Sequence, residues 1–249
     1  MGAVRAEFCK LKRSLSWTVV AVLPLMAVLT GVVNTVVSGP ALEQGWHTLW
    51  LRTVVFHGLF PLAAGVAVLA SLLWRVEHQG GNWNALMGRS TSGFAVAAAK
   101  VVVLAVLAAA VQAVLVAGVL VVGKAVFGLP GVLPPRYLLV SAVIVVACLP
   151  VAALQSALSM LMRSFAAPVV VAVAGSTAGA LVVLIGHGPL TAALPYALLT
   201  RATQLGTGVF GDDGTVTAAG VAVLVAVASA LTVVVIAGTA SLLERRDVH

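Results

Sequence analysis

The run V-V-V-L-A-V-L-A-A-A-V-Q-A-V-L-V-A-G-V-L-V-V, residues 101–122, decides the class of this protein, because it contains no charged side chain over its whole length. A bilayer core is about 30 Å thick, and a helix needs about 20 apolar residues to cross it. The composition extends this conclusion to the rest of the chain, since 61% of the 249 residues are hydrophobic and only 8% are charged. The sequence therefore predicts an all-α integral membrane protein.

Five further runs are long and apolar enough to cross the membrane as helices. Together with the first run they predict one transmembrane domain, residues 1–249, with six spans, the third of which begins at about residue 95. The predicted spans are residues 18–37, 53–74, 95–122, 138–161, 169–186 and 218–242.

The lysines and arginines are divided unequally between the two ends of these spans. If the N-terminus faces the cytosol, ten cations lie inside and four, Arg52, Lys124, Arg136 and Arg201, lie outside. This is the bias of the positive-inside rule. The sequence therefore predicts that both termini and the segment 75–94 face the cytosol. Because the cations lie near span ends, without interleaved aromatic residues, we expect no nucleic-acid partner.

Residues 1–16 have the pattern of an amphipathic helix that lies on the membrane surface. Val4, Phe8, Leu11 and Leu15 are spaced by four, three and four residues, and basic residues occupy the rest of the helix circumference. This spacing places the apolar side chains on one face. Two interpretations stay open: a charge anchor that fixes the orientation of the chain, or an elbow helix that braces a transport core.

Small and polar residues inside the spans are candidates for helix packing or for a translocation path. Gln155 and Ser159 lie on one face of the fourth span, and Gly175 and Gly179 form a G-x-x-x-G step in the fifth. Such residues usually serve close helix–helix packing, whereas polar side chains inside a span also line substrate pathways. For the glycine step, packing within one subunit and packing across a dimer are both open.

No nucleotide, metal or disulfide site stands out. The stretch from Gly118 to Ala125, G-V-L-V-V-G-K-A, lacks the final Ser or Thr of a phosphate-binding loop and ends a membrane helix instead of following a strand. Cys9 and Cys148 are separated by the predicted topology, so we expect no disulfide. We expect this chain to bind no cofactor or metal and to contain no catalytic residue.

Residues 187–215, between the fifth and sixth spans, form a predicted outer helical insert. Pro189 and Pro195 precede a glycine-rich stretch that ends in Asp212-Asp213-Gly214-Thr215. This pattern of prolines, glycines and aspartates predicts one short interfacial or partly re-entrant helix followed by a turn. Asp212 and Asp213 are typical turn residues, so we prefer that interpretation to a hydrolytic site with His187.

The segment between the second and third spans reads R-V-E-H-Q-G-G-N-W-N-A-L-M-G-R-S-T-S-G-F-A-V-A-A-A-K, residues 75–100. Glu77-His78-Gln79 follows the second span, Trp83 comes six residues after Glu77, and Leu86 three residues later. This pattern resembles the cytosolic loop of ABC-2 type transporter permeases, in particular the lantibiotic-protection (immunity) type.

The resemblance extends to the N-terminal segment R-A-E-F-C-K-L-K-R-S and to the six-span layout with its outer insert. Two departures concern the loop. Asn82 stands where the family usually has Thr, and Gly88-Arg89-Ser90-Thr91 replaces a stretch that contains proline.

The resemblance implies a transmembrane domain of the type V exporter kind in the bacterial cytoplasmic membrane. Two permease subunits, identical or different, would form the path, and a cytosolic ABC ATPase dimer would bind ATP and Mg and dock on a coupling helix within 75–94 of each subunit. The docking residues that it implies are Glu77, His78, Trp83 and Leu86. For Trp83, anchoring in the lipid interface is the alternative. The implied function is a non-catalytic permease subunit that exports amphipathic or hydrophobic compounds, such as peptide antibiotics, for resistance or immunity.

Two other functions compete with this one. An ion- or proton-coupled secondary transporter or channel would need an ion site inside the membrane, for which His57, Gln112, Gln155 and Asn34 are the candidates. A membrane-embedded enzyme would need a nucleophile with its base and acid, and no such set stands out.

Overall fold

The computed structural model describes residues 3–11, 14–38, 42, 44–79, 92–186, 188–209 and 212–246. Across these ranges the chain forms helices joined by turns and short loops, and no β-strand occurs in them. The predicted all-α class is therefore confirmed. The helices are α1 (Ala3–Lys10), α2 (Ser16–Val37), α3 (Trp46–Leu59), α4 (Pro61–His78), α5 (Gly93–Ala125), α6 (Pro135–Leu161), α7 (Ala166–Ile185), α8 (Gly188–Ala193), α9 (Pro195–Gln204) and α10 (Ala218–Arg246).

In the part of the chain that the structure describes, five helices are long and apolar enough to cross a membrane, and α3 and α4 make a sixth candidate span if they count as one. The five are α2, α5, α6, α7 and α10. The predicted second span, 53–74, is bent within its length, because α3 and α4 meet at an angle of 51°. The break lies at Phe60, directly before Pro61. Proline has no N–H for the helical ladder but suits the first position of a new helix, so the chain turns there.

Helix α6 lies at the centre of the bundle. It packs against α4, α5, α9 and α10. Of its most apolar window, 61% is buried inside the subunit, against 17% for α10. The remaining apolar surface of α10 therefore faces outward, as a helix in contact with lipid requires.

Trp17, Trp46, Trp50 and Trp74 stand near the ends of predicted spans, a position that predicts an aromatic belt at the membrane surface. An aromatic belt at the membrane surface fits Trp17, which is 52% exposed, but it is wrong for Trp46, Trp50 and Trp74, which are at most 7% exposed. Trp46 lies against Gly123, where a Cβ atom would stand 2.3 Å from its ring. Because Gly123 has no side chain, it leaves room for the indole, and Trp46 packs in the core instead of at the lipid surface.

The N-terminal helix is shorter than predicted and turned differently. Helix α1 ends at Lys10, and α2 begins at Ser16. Leu11 is buried, but Val4 and Leu15 of the predicted apolar face are 37% and 63% exposed. Glu7 is only 5% exposed because its side chain points into the protein. With Glu7 on the inner side of α1, part of the expected apolar face turns away from the core.

The outer insert contains two helices, α8 and α9, where one was predicted. Most of α9 is buried, and it packs against α3, α6 and α7. The aspartates that follow it make turn contacts. The Asp212 carboxylate accepts hydrogen bonds from the N–H groups of Gly208 and Gly214, and the Asp213 carboxylate accepts two from Thr215, one from the N–H and one from the hydroxyl. The exposed Asp213 carboxyl has a lowered pKa because the Thr215 N–H and hydroxyl both donate to its charged form. His187 lies outside the described residues.

Candidate functional site

Four charged side chains from three helices meet at one end of the bundle. Lys100 Nζ, on α5, lies 2.9 Å from Glu7 Oε2 of α1 and 2.9 Å from Glu77 Oε1 of α4. Lys10 Nζ, at the end of α1, donates to the Oε1 atoms of the same two glutamates at 2.5 Å. These four residues, Glu7, Lys10, Glu77 and Lys100, are called the ionic cluster below. Its two positive and two negative charges balance.

The ionic cluster is buried. Lys100 is fully buried, and Glu77 and Glu7 are 3% and 5% exposed. An unpaired charge in such a place costs several kcal/mol, so the site is stable only if the ions are paired and hydrogen-bonded. The ammonium of Lys100 has three N–H donors. Two reach the glutamates and the third reaches the Leu73 carbonyl at 3.3 Å, while the Trp74 ring centroid lies 4.4 Å from Nζ.

Lys10 forms the rim of the ionic cluster, with 27% of its side chain exposed. Burial alone would lower the pKa of Lys10, but the hydrogen bonds and charges of Glu7 and Glu77 offset that effect and raise it above the ordinary value. Lys10 is therefore a cation at neutral pH. It completes the charge balance that the two buried carboxylates require.

The ionic cluster joins the two helices that flank the predicted cytosolic loop. Glu77 is the next-to-last residue of α4, and Lys100 lies two turns into α5. The pair thus links the chain on either side of residues 80–91, and Glu7 and Lys10 add α1 to the same contact. Of the two interpretations of the N-terminal segment, these ion pairs favour an elbow helix fixed to the core over a free charge anchor.

The end of α4 is also hydrogen-bonded to α6. Trp74 Nε1 donates to Ser156 Oγ at 2.9 Å, and the hydroxyls of Ser71 and Ser159 lie 3.2 Å apart. His78 Nε2 lies 2.8 Å from the Ser159 carbonyl oxygen, which can only accept, so this nitrogen carries the proton. These hydrogen bonds therefore attach the end of α4 to the central helix.

Two of the four predicted docking residues have partners inside the subunit. The Glu77 carboxylate forms the ion pairs of the ionic cluster, and the His78 imidazole is hydrogen-bonded to the Ser159 carbonyl of α6. Both groups are thus engaged inside the subunit. Trp83 and Leu86 lie outside the described residues. ATPase docking by these four residues stays a prediction. For Glu77 the contacts indicate a role in holding the base of the loop.

Of the predicted packing or path residues, Gln155, Gly175 and Gly179 contact α9, whereas Ser159 contacts α4. Gln155 Nε2 donates to the Tyr196 hydroxyl, and an added Cβ at Gly175 would stand 2.4 Å from the Tyr196 ring. At Gly179 an added Cβ would stand 2.7 Å from the backbone N of Ala197. The G-x-x-x-G step thus packs inside this subunit, while Ser159 is buried against α4. A place for these residues in a translocation path stays a prediction.

Three of the four candidates for an ion site have hydrogen-bond partners outside that set of residues. Gln112 Nε2 lies 3.3 Å from Ser141 Oγ, and the side chains of Asn34 and Ser38 are 3.4 Å apart near the surface. His57 is fully buried, with no hydrogen-bond partner for its ring nitrogens among the described residues. Within the same ranges no group of three or more His, Cys, Asp or Glu side chains is placed to hold a metal.

Sequence reasoning missed the ionic cluster as a unit. The sequence pattern predicts ATPase docking for Glu77 and gives no individual role to Glu7, Lys10 or Lys100. One signal was available. The chain has only 7 acidic residues, and four of them, Glu7, Glu77, Glu244 and Asp247, lie within two residues of an arginine at predicted cytosolic span ends. An acid in that position is a candidate ion-pair partner, because burial there demands an opposite charge.

The five or six candidate spans among the described residues and the charged site at one end are those of a multi-pass helical membrane protein. Residues 3–179 match the family model described as ABC-2 family transporter protein, which covers well over half of the 249 residues. The chain therefore belongs to the ABC-2 transporter family, whose permeases are membrane components of transport systems and generally not catalytic. The matched region contains the whole ionic cluster. No curated protein and no solved structure matches the chain significantly.

Proposed function

We propose that this chain is the permease subunit of an ATP-driven ABC exporter that moves amphipathic or hydrophobic compounds, peptide antibiotics among them, out of the cell or the membrane. It works with a cytosolic ABC ATPase dimer and with a second permease subunit, in the bacterial cytoplasmic membrane. Family membership supports the permease class. The pattern Glu77-His78, Trp83, Leu86 supports the lantibiotic-protection subtype. The observation that carries ATPase coupling is the ionic cluster.

Energy from ATP must enter this chain through a protein contact. The stretch 118–125, which comes closest to a phosphate-binding loop, is helical within α5 and has no loop backbone to hold phosphates. A partner that pushes on residues 80–91 would act on the ends of α4 and α5 together. Because separating the buried pairs would leave uncompensated charges, at a cost of about 3–5 kcal/mol, these ends and α1 move as one body.

The contacts of α4 offer a route from this body to the far side of the bundle. The hydrogen bonds of Trp74 and His78 connect α4 to α6. Gln155 then connects α6 to Tyr196 of α9, which belongs to the outer insert. Rocking of α4 driven by an ATPase would thus reach the opposite end through packed, hydrogen-bonded elements, which is the form in which mechanical coupling travels through proteins.

A cavity at that opposite end suits an amphipathic substrate. It has a volume of about 560 Å³ and lies between α7, α8, α9 and α10. Its wall is mostly apolar, with Val183, Leu198 and Leu224 among the side chains. Arg201 is the charged residue that lines it, and its guanidinium lies 3.4 Å from the Asp212 carboxylate. An apolar wall with one such polar position fits a molecule with one polar end.

The test is co-purification with the product of a neighbouring gene, where that gene encodes a P-loop ATPase. We expect the two proteins to elute as one complex in detergent and the complex to hydrolyse ATP faster than the ATPase alone. Replacing the catalytic glutamate of the ATPase by Gln should abolish hydrolysis but not assembly. An ATPase that neither binds this chain nor changes its hydrolysis rate in its presence would contradict the proposal.

An ion-coupled secondary transporter or channel is the alternative, and one observation favours it. His57 is fully buried in α3, close to the bend at Phe60, and its ring has no partner among the described residues. A histidine of this kind is able to carry a proton. Transport that survives ATP depletion and is lost in His57→Gln would support this alternative.

A further inference from the structure

A second charged site lies at the same end of the bundle as the ionic cluster. It is a cavity of about 460 Å³ between the last turns of α4, the end of α6 and the start of α7. Arg75 and Arg163 line it, together with the hydroxyls of Ser71, Ser159 and Ser164. The cavity therefore offers two guanidinium groups and several hydroxyl donors, which is the donor set that a phosphate or carboxylate needs.

The two arginines are not neutralised by any acidic residue that the structure describes. Neither forms an ion pair with an acidic residue in the part of the chain that the structure describes, and the segment 80–91 contains no acid. The buried acids at this end, Glu7 and Glu77, form ion pairs with two lysines and therefore do not pair with the arginines. The cavity thus carries an uncompensated positive charge, and an anion is the ligand that balances it.

Helix α7 adds to this charge. Its first residue is Ala166, and Ser164 and Phe165, which line the cavity, come directly before it. The first N–H groups of a helix have no partner inside the helix and carry a partial positive charge. Ser164 Oγ accepts from only one of them, the N–H of Ala167 at 3.4 Å. The start of α7 therefore supports the binding of an anion beside the arginines.

From these features we infer that the cavity binds the phosphate group of an anionic phospholipid from the adjacent leaflet. Both arginines stand at span ends: Arg75 follows the buried Trp74, and Arg163 comes two residues after Leu161. Leu161 and Phe165, at 39% and 44% exposed, offer apolar surface next to the charged wall. Basic cavities between helices at the cytoplasmic surface are typical sites for anionic head groups. A soluble anion would use the charge but not this apolar surface.

The experiment uses the full-length chain purified in a neutral detergent. Native mass spectrometry counts bound phosphatidylglycerol and phosphatidylcholine at equal concentrations, and a thermal melt measures the stabilisation by each. We expect phosphatidylglycerol to bind more tightly and to stabilise more. In Arg75→Gln and in Arg163→Gln its affinity should fall about tenfold, because each loses a charge-assisted hydrogen bond. Arg163→Lys, which keeps the charge, should retain part of the binding.

Arg5→Gln is the matched control. Arg5 is exposed on α1 at the same end of the bundle but does not line the cavity, so its loss removes the same charge without changing the site. We expect it to leave the affinity for phosphatidylglycerol unchanged. An equal loss in Arg5→Gln would overturn the inference, because it would show a diffuse surface charge instead of a site.

Three further outcomes would overturn it. The first is equal binding of the anionic and the zwitterionic lipid. The second is stabilisation by inorganic phosphate or glycerol phosphate as large as that by the lipid, which would mark a site for a soluble anion. The third is unchanged lipid binding in Arg75→Gln and Arg163→Gln with loss of the co-purifying ATPase, which would assign the arginines to a protein contact. The lipid site does not depend on the proposed transport function.

Discussion

Glu77 and Lys100 are 23 residues apart in the chain, and their side chains form a 2.9 Å ion pair at the base of the segment between α4 and α5. The pair is buried, and Glu7 and Lys10 complete it from α1. A buried pair of this kind resists separation, since each ion is stable there only with its partner. The segment that is proposed to meet the ATPase therefore starts and ends on helices that are fixed to each other.

Removing the buried cation should destabilise the protein strongly. Lys100→Met leaves Glu7 and Glu77 with Lys10 alone, and we expect a loss of about 3–5 kcal/mol of stability. The measurement is the apparent melting temperature of the purified chain in detergent. Lys124→Met is the control, because Lys124 is exposed at the other end of the same helix. Equal melting temperatures for the two variants would contradict the role of the ionic cluster.

Removing the cation and one anion together should restore stability in part. In Glu77→Gln/Lys100→Met the remaining pair, Glu7 and Lys10, is balanced, so the double variant should be more stable than the sum of the two single losses predicts. The same melts check this, with both single variants run beside the double. Strict additivity would mean that Glu77 and Lys100 do not interact in the folded protein.

The glycine step should respond to a single methyl group. In Gly179→Ala the new Cβ would stand 2.7 Å from the backbone N of Ala197, so α7 and α9 would have to separate. We expect a loss of about 1–3 kcal/mol from this overpacking. Gly238→Ala is the control, since nothing lies within 4 Å of its Cβ position, and it should stabilise α10 by up to about 1 kcal/mol. A Gly179→Ala variant as stable as the wild type would contradict the packing of α7 on α9.

The general fold was predictable from the sequence, whereas the contacts between helices were not. Apolar runs report the spans directly, because the bilayer sets their length. The bend at Phe60 and the burial of Trp46 depend on what a residue meets in space, such as Gly123 opposite the indole, and a linear pattern does not contain that information. The contacts of the ionic cluster were not predictable for the same reason, since Glu7 and Lys100 are 93 residues apart in the chain.

The contact between Gln155 and Tyr196 should behave as a pair. Either Gln155→Leu or Tyr196→Phe removes the hydrogen bond between α6 and α9 and leaves a buried polar group without its partner, which costs about 1–3 kcal/mol. The double variant should lose less than the sum. Melts of the three proteins check this, and additive losses would contradict the contact. Transport that is reduced in Gln155→Leu but not in Tyr196→Phe would instead place Gln155 in the translocation path.

The loop tryptophan provides a test of docking that leaves the ionic cluster intact. Trp83→Ala should retain membrane insertion and melting temperature but lose most of the co-purified ATPase, because truncating a buried tryptophan in a packed contact costs about 3–5 kcal/mol. Trp17→Ala is the control, as Trp17 is exposed on α2. If both variants retain the ATPase equally, Trp83 is an interfacial anchor and not a docking residue.

The most direct test of the account is transport into inside-out membrane vesicles that contain this chain and its ATPase. A fluorescent amphipathic peptide is added outside, and its accumulation is followed with ATP, with a non-hydrolysable ATP analogue and with a protonophore. We predict accumulation that requires hydrolysable ATP and continues when the proton gradient is collapsed. Accumulation that proceeds without ATP and stops with the protonophore would contradict an ATP-driven exporter and support the ion-coupled alternative.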